Sequence, residues 1–194
     1  MLRRRGTAAD YLVVGLGNPG DEHARTRHNV GAETVELLAK RHGANLRKGK
    51  ERARADQVRI GGDLVALAVP LTYMNDSGLA VVALARRYGV EPEQIVIVHD
   101  ELDLPVAALK VKAGGGLAGH NGLRSIKSHL HSDGFLRVRI GVGKPVSKEH
   151  GVEHVLKKFS KRERTEIDVT LEQAADAVEC IVSDGVEAAM NRFN

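Results

Sequence analysis

Three polar pairs in this chain carry the residue types that acid–base chemistry needs: His28-Asn29, Asn75-Asp76 and His120-Asn121. Each stands where a helical pattern opens. Asn18, in the turn after the first apolar run, and Asp100, just after the third apolar strand, join them. A histidine paired with a carboxylate can take a proton from water, because the acid fixes the tautomer and stabilises the imidazolium that forms. Nearby asparagine amides can hold an attacked carbonyl and its developing charge. Any one of Asn29, Asn75 or Asp76 also has a simpler use, since Asn and Asp at helix starts are ordinary caps.

The elements that must position these groups follow from the apolar spacing. Tyr11 to Gly17 is a short apolar run ending in glycine, read as a buried first strand, with Asn18-Pro19-Gly20 as the turn after it. Asn29 to His42 has helical spacing and Gly43 as a stop. Asp56 to Ile60 and Leu64 to Val69 flank Gly61-Gly62-Asp63, a hairpin signature. Asp76-Ser77 offers caps for a helix that stops at Gly89. Ile95 to Val98, Leu109 to Lys112 and Leu136 to Val142 read as strands, with a helix from Asn121 between the last two. Val152, Val155, Leu156 and Phe159 form a short stripe, and Ser160 with Glu163 is a capping box opening a long final helix. Strands alternating with helices, plus one hairpin, predict an α/β sandwich: a twisted mixed sheet flanked by helices in one domain over 11–194. Residues 1–10 are basic, lack the apolar segment of a signal peptide, and read as a flexible tail.

In open α/β sheets, groups at the carboxyl ends of strands converge on one crevice, so Asn18, Asn75 and Asp100 are expected to meet there. The densest polar stretch is 94–121. After the Ile95–Val98 run it places His99, Asp100, Glu101 and Asp103 together, a poor recipe for core. Lys110 and Lys112 follow at period two, so both ammonium groups share a face, as do Arg137 and Arg139 on the next strand. Gly114-Gly115-Gly116 then leads to His120-Asn121. The four cations could be a solvated sheet face, but their joint placement beside a flexible glycine loop and a His-Asn pair shifts the balance toward a phosphate-bearing substrate. The run 47–54, RKGKERAR, has no apolar period and reads as exposed loop or strand edge.

Other classes are disfavoured. Gly15-Leu16-Gly17-Asn18-Pro19-Gly20 matches a dinucleotide fingerprint, but Pro19 breaks it, the helix starts too late, and no ribose-binding acid follows the second strand. There is no phosphate-binding G-x-x-x-x-G-K-[ST] loop and no G-x-S-x-G elbow. The nine histidines show no metal-ligand spacing, and the one cysteine, Cys180, allows neither an intrachain disulfide nor a thiolate zinc cage, which suits a reducing cytoplasm. No apolar run reaches bilayer length. A net charge of +4 mildly favours a polyanionic partner, while 3% aromatic residues leave little for a base-stacking platform. The residues alone support a hydrolase or a nucleotide-binding α/β protein.

The blocks GLGNPG, TRHNVG, TYMNDSG, HDELDLP, GGGLAGHNGLRSI and RVRIGVGKP, in this order and spacing, resemble bacterial peptidyl-tRNA hydrolases. The resemblance runs from about Tyr11 to the last residues. It implies a cytoplasmic, monomeric esterase, without metal or other cofactor, that cleaves the ester between a peptide and the 3′ ribose of tRNA and so recycles tRNA dropped by ribosomes. It implies His28 as the base and Asp100 as the acid that orients it. Asn18 and Asn75 would be cleft amides, and Tyr73 and Met74 the cleft wall. Asn121, with His120 beside it, would contact the tRNA 3′ end; Lys110, Lys112 and Arg139 would face tRNA phosphate; and 113–122 would be a mobile flap. Two positions depart from the family pattern: His23 stands where Tyr is usual, so aromatic contact to the terminal nucleotide is put in doubt, and Ala118 where Gly is usual, which would be restricted if that site needs positive φ. A non-catalytic RNA-binding module of the same fold is the competing class, and the presence of His28 with Asn18 and Asp100 argues against it.

Overall fold

The computed structural model describes residues 8–194. The seven strands are β1 (Tyr11–Gly15), β2 (Arg47–Lys48), β3 (Ala53–Ile60), β4 (Asp63–Pro70), β5 (Ile95–Glu101), β6 (Leu109–Ala113) and β7 (Leu136–Gly141). They form one mixed sheet in the order β2-β3-β4-β1-β5-β7-β6. The β1–β4, β1–β5 and β5–β7 pairs are parallel, and the outer pairs are antiparallel. The apolar run at the chain start thus becomes the central strand, covered on both faces, as parallel strands require.

On one face lie α1 (Val30–Arg41), α5 (Lys161–Asp184) and α6 (Val186–Phe193), packed on Val13, Val96, Val98 and Val138. On the other lie α2 (Ser77–Tyr88) and α3 (Asn121–Leu130), packed on Leu12, Val14 and Ile97. A short helix, α4 (Gly151–Val155), sits at the carboxyl end of the sheet. The expected α/β sandwich is the observed one. Of the expected tail, residues 1–7 lie outside the described residues, while Ala9 and Asp10 donate backbone hydrogen bonds to Tyr88 and Leu64.

Two differences from the expected elements have physical causes. Strand β5 runs on through His99, Asp100 and Glu101, all buried, because each has a partner and the strand keeps its register with β7 to Glu101. The basic run 47–54, expected as exposed loop or strand edge, takes the second form, with β2 against β3 as a small edge hairpin. The long terminal helix breaks at Gly185 (φ 92), and the following α6 brings Asn194 to β6. There the Asn194 amide donates to and accepts from Val111, finishing an edge strand that would otherwise expose its ladder.

The glycines of the first motif act by size. Gly15 and Gly17 have ordinary φ, and only Gly20 (φ 101) needs left-handed backbone. A Cβ on Gly15 would lie 2.2 Å from the Gly31 carbonyl oxygen, and one on Gly31 would lie 2.0 Å from that of Val98. Helix α1 therefore touches β1 and β5 backbone to backbone, and this contact carries His28 in toward the end of β5. Gly→Ala inside a helix ordinarily gains stability by about 1 kcal/mol. Here Gly31→Ala should instead lose about 2–3 kcal/mol, since backbone cannot swing aside as a side chain can. Urea unfolding reads the sign directly, and a stabilised variant would refute the close approach.

Candidate active site

The site forms where the carboxyl ends of β1, β4 and β5 meet α1, α3 and α4. The Asp100 side chain, 1% exposed, accepts two hydrogen bonds: from His28 Nδ1 to Oδ2 and from His120 Nε2 to Oδ1, each 2.7 Å. The two imidazole centroids are 5.2 Å apart. One carboxylate thus joins two histidines that are 92 residues apart in sequence.

The two histidines are not equivalent. His120 is the N-cap of α3, and its Nδ1 accepts from the backbone N–H groups of Gly122 (3.1 Å) and Leu123 (3.3 Å). With Nε2 donating to Asp100, its tautomer is settled and both ring nitrogens are used. A second proton on Nδ1 would point at two donors. His28 donates through Nδ1 only, leaving Nε2 as a free lone pair at the cleft. Burial opposes protonation of His28, but the charge and hydrogen bond of Asp100 outweigh it, so its pKa lies above the ordinary histidine value. Burial would also favour a neutral Asp100, yet the two imidazoles hold its carboxyl well below the usual range. His99 is different again: burial, then the neighbouring His120, push it far below the ordinary value, and its Nδ1 donates to the Asp100 carbonyl (2.7 Å).

Asn18 is locked by neighbours. Its Oδ1 accepts from Met74 N–H (2.7 Å), its backbone N–H donates to Asn29 Oδ1 (2.9 Å), and Asn29 Nδ2 returns a bond to the Asn18 carbonyl (2.9 Å). With Oδ1 engaged, the Asn18 Nδ2 is left as a donor in the cleft. The cleft, about 520 Å³, also takes Tyr73, Met74, Asn75 and Asn121 into its lining. The Asn75 and Asn121 side chains are exposed and make no hydrogen bond to any described residue. Tyr73 is 63% exposed, while Met74 is buried beneath it.

Some expectations meet a different geometry. Asn29 and Asp76 occupy N-cap positions without side-chain caps, so the capping alternative fails for both. His23 is half-buried beside Glu22 and does not line the cleft. Lys110, Lys112 and Arg139 lie away from it, on β6 and β7. Arg139 is bound to Glu101 (3.0 Å), and Arg137, fully buried, donates to the carbonyls of Gly114 and Gly116. The four cations are therefore not one solvated face. Ala118 does adopt left-handed φ (51°), a cost on the order of 1–2 kcal/mol for a residue with a Cβ.

Sequence reasoning missed the apolar rim supplied by α4. Val152 (68% exposed) and Leu156 line the cleft with Lys148. His154 fastens this segment to the end of β7 by donating to the carbonyls of Val142 and Gly143 (3.0 and 3.1 Å). The stripe Val152, Val155, Leu156 was its signal, but amphipathicity does not say whether an apolar edge faces core or substrate.

Fold and cleft together describe an α/β protein with a buried histidine–carboxylate–histidine cluster at the carboxyl end of its sheet. Residues 12–194 match the peptidyl-tRNA hydrolase family, and the chain belongs to it. It is 50% identical over 185 residues to the peptidyl-tRNA hydrolase of Nocardia farcinica, covering 94% of this chain and 95% of that one. It is 49% identical over 185 residues to that of Mycolicibacterium vanbaalenii, covering 95% and 96%. The crystal structure of peptidyl-tRNA hydrolase from Acinetobacter baumannii superposes with a TM-score of 0.91 at 44% identity, covering 95% of this chain and 94% of that chain.

Proposed function

We propose that this chain performs the family's hydrolysis of peptidyl-tRNA with His28 as general base. His28 Nε2 takes a proton from water as the water oxygen attacks the ester carbonyl. Asp100 holds Nδ1–H, so that the accepting nitrogen faces the cleft, and it stabilises the imidazolium. Asn18 Nδ2 donates to the carbonyl oxygen as it becomes an oxyanion. The carbon–oxygen bond to the ribose then breaks, and the proton held on His28 passes to the departing 3′ oxygen. Asn75 and Asn121 hold the substrate by their free amides, the apolar rim receives the side chain of the esterified residue, and Lys110 and Lys112 meet tRNA phosphate. The observation that carries this reading is the single free imidazole nitrogen, on His28, within a carboxylate–bis-imidazole network that is otherwise satisfied.

The reading extends to a cytoplasmic monomer that works without metal or cofactor. His28, Asp100 and His120 offer ligand atoms within 4.8 Å of one another, a spacing a cation could use. Their nitrogens and oxygens are already paired with each other at 2.7 Å, which favours a proton network. Release of labelled N-acetyl-aminoacyl groups from tRNA tests the activity, with unblocked aminoacyl-tRNA as control. The rate should be the same with and without a chelator. A rate abolished by chelation and restored by a divalent ion would overturn the metal-free mechanism.

A further inference from the structure

The basic edge hairpin β2–β3 is unused by this mechanism, yet it forms one wall of a second depression of about 510 Å³. Lys48, Arg52, Thr72 and Asp76 line it, together with Tyr73, which also lines the catalytic cleft. The two spaces therefore share the segment that follows β4. That segment is fastened to the hairpin by a hydrogen bond from Leu71 N–H to the Arg52 carbonyl (2.7 Å), and to the catalytic side by Met74 N–H on Asn18. Arg52 is held at φ 56, a backbone cost of the kind that persists at ligand-facing positions. Neither the Lys48 ammonium nor the Arg52 guanidinium bonds to any described residue, because the nearby Glu51 is paired with Arg87. Thr72 Oγ1 is buried without a partner among the described residues. Against two cations the lining sets one acid, Asp76, so it keeps a net positive charge.

We propose that this depression is the subsite for the peptide arm of the substrate and favours acidic side chains upstream of the esterified residue. The inference rests on the reading that the ester carbonyl sits at His28. The two arms of an ester leave its carbonyl in opposite directions. In the sheet order, Lys110 and Lys112 stand on β6 at one edge and Lys48 on β2 at the other, with the cleft between them. A tRNA whose phosphates meet the β6 edge sends its acyl group past Tyr73 toward the β2 edge. There the exposed, unpaired cations of Lys48 and Arg52 await carboxylates.

The test compares kcat/KM on one tRNA carrying N-acetylvalyl, N-acetyl-Glu-Glu-valyl or N-acetyl-Lys-Lys-valyl, for wild type and Lys48→Gln/Arg52→Gln. The double variant should lose roughly three- to tenfold on the diglutamyl substrate, the scale of two partly exposed charge contacts. It should change little on N-acetylvalyl and gain on the dilysyl substrate, and the differences should shrink at high salt. An equal loss on all three would make the depression a tRNA phosphate contact and overturn the proposal, as would no change on any. A wild type that fails on N-acetylvalyl-tRNA would instead refute the mechanism on which the inference rests.

Discussion

Replacing His28 by alanine should lower kcat on N-acetyl-aminoacyl-tRNA by about 10²–10⁴-fold, the range of a positioned general base, with little change in KM. The groups proposed to bind substrate are elsewhere: the free amides of Asn75 and Asn121, Tyr73 and the apolar rim of α4 line the cleft without bonding to the imidazole. Alanine also removes one of the two donors that hold the Asp100 carboxylate, so part of the loss could be read as disorder. His28→Gln separates the two causes. A glutamine amide can still donate toward Asp100, but it cannot accept a proton at neutral pH. If base catalysis is the role, both variants are inactive and the glutamine variant keeps wild-type thermal stability and tRNA affinity. Near-normal turnover in either variant would sink the assignment.

How far the chain could be read beforehand depended on whether a residue acts through its own type or through a neighbour distant in sequence. Strands β1, β4 and β7 and helices α1, α2 and α3 carry their periodicity locally, and their expected bounds lie within a few residues of the observed ones. The convergence of Asn18, Asn75 and Asp100 followed from a rule about strand ends, and the cleft lining contains all three. By contrast, β5 was expected to stop at Val98, because burial of His99, Asp100 and Glu101 makes sense only once their partners are known. Asp100 is met by His28, just before α1, and by His120, the cap of α3; Glu101 is met by Arg139 of β7, and His99 by the Asp100 carbonyl. Arg137 looked like a surface cation because nothing local says that glycine carbonyls will close over it. Asn29 looked like a cap, whereas its amide closes a ring with the Asn18 backbone, a contact across the turn. His120 is the reverse case. It caps α3 although histidine is not among the favoured capping residues, and that use settles its tautomer.

The same tautomer argument predicts what happens when Asp100 becomes asparagine. The carboxylate accepts from both histidines, whereas the amide has one accepting oxygen and one donating NH₂. His120 can present only a donor, because its Nδ1 is held by the N–H groups of Gly122 and Leu123. The amide oxygen must therefore face His120, and the NH₂ must face His28. His28 Nδ1 then becomes an acceptor, its proton moves to Nε2, and the nitrogen in the cleft is blocked as a base. Turnover should fall on the order of 10²–10⁴-fold with the fold intact. The pH profile gives an independent reading. As the proposed base, wild-type His28 must be neutral, and Asp100 raises its pKa against the effect of burial, so activity should be lost as pH falls through that raised value. With the anion gone and burial remaining, the acid limb should move to lower pH, and the deficit relative to wild type should narrow in acid. Asp100→Asn with an unmoved acid limb would show that His28 is not the group whose titration limits the rate.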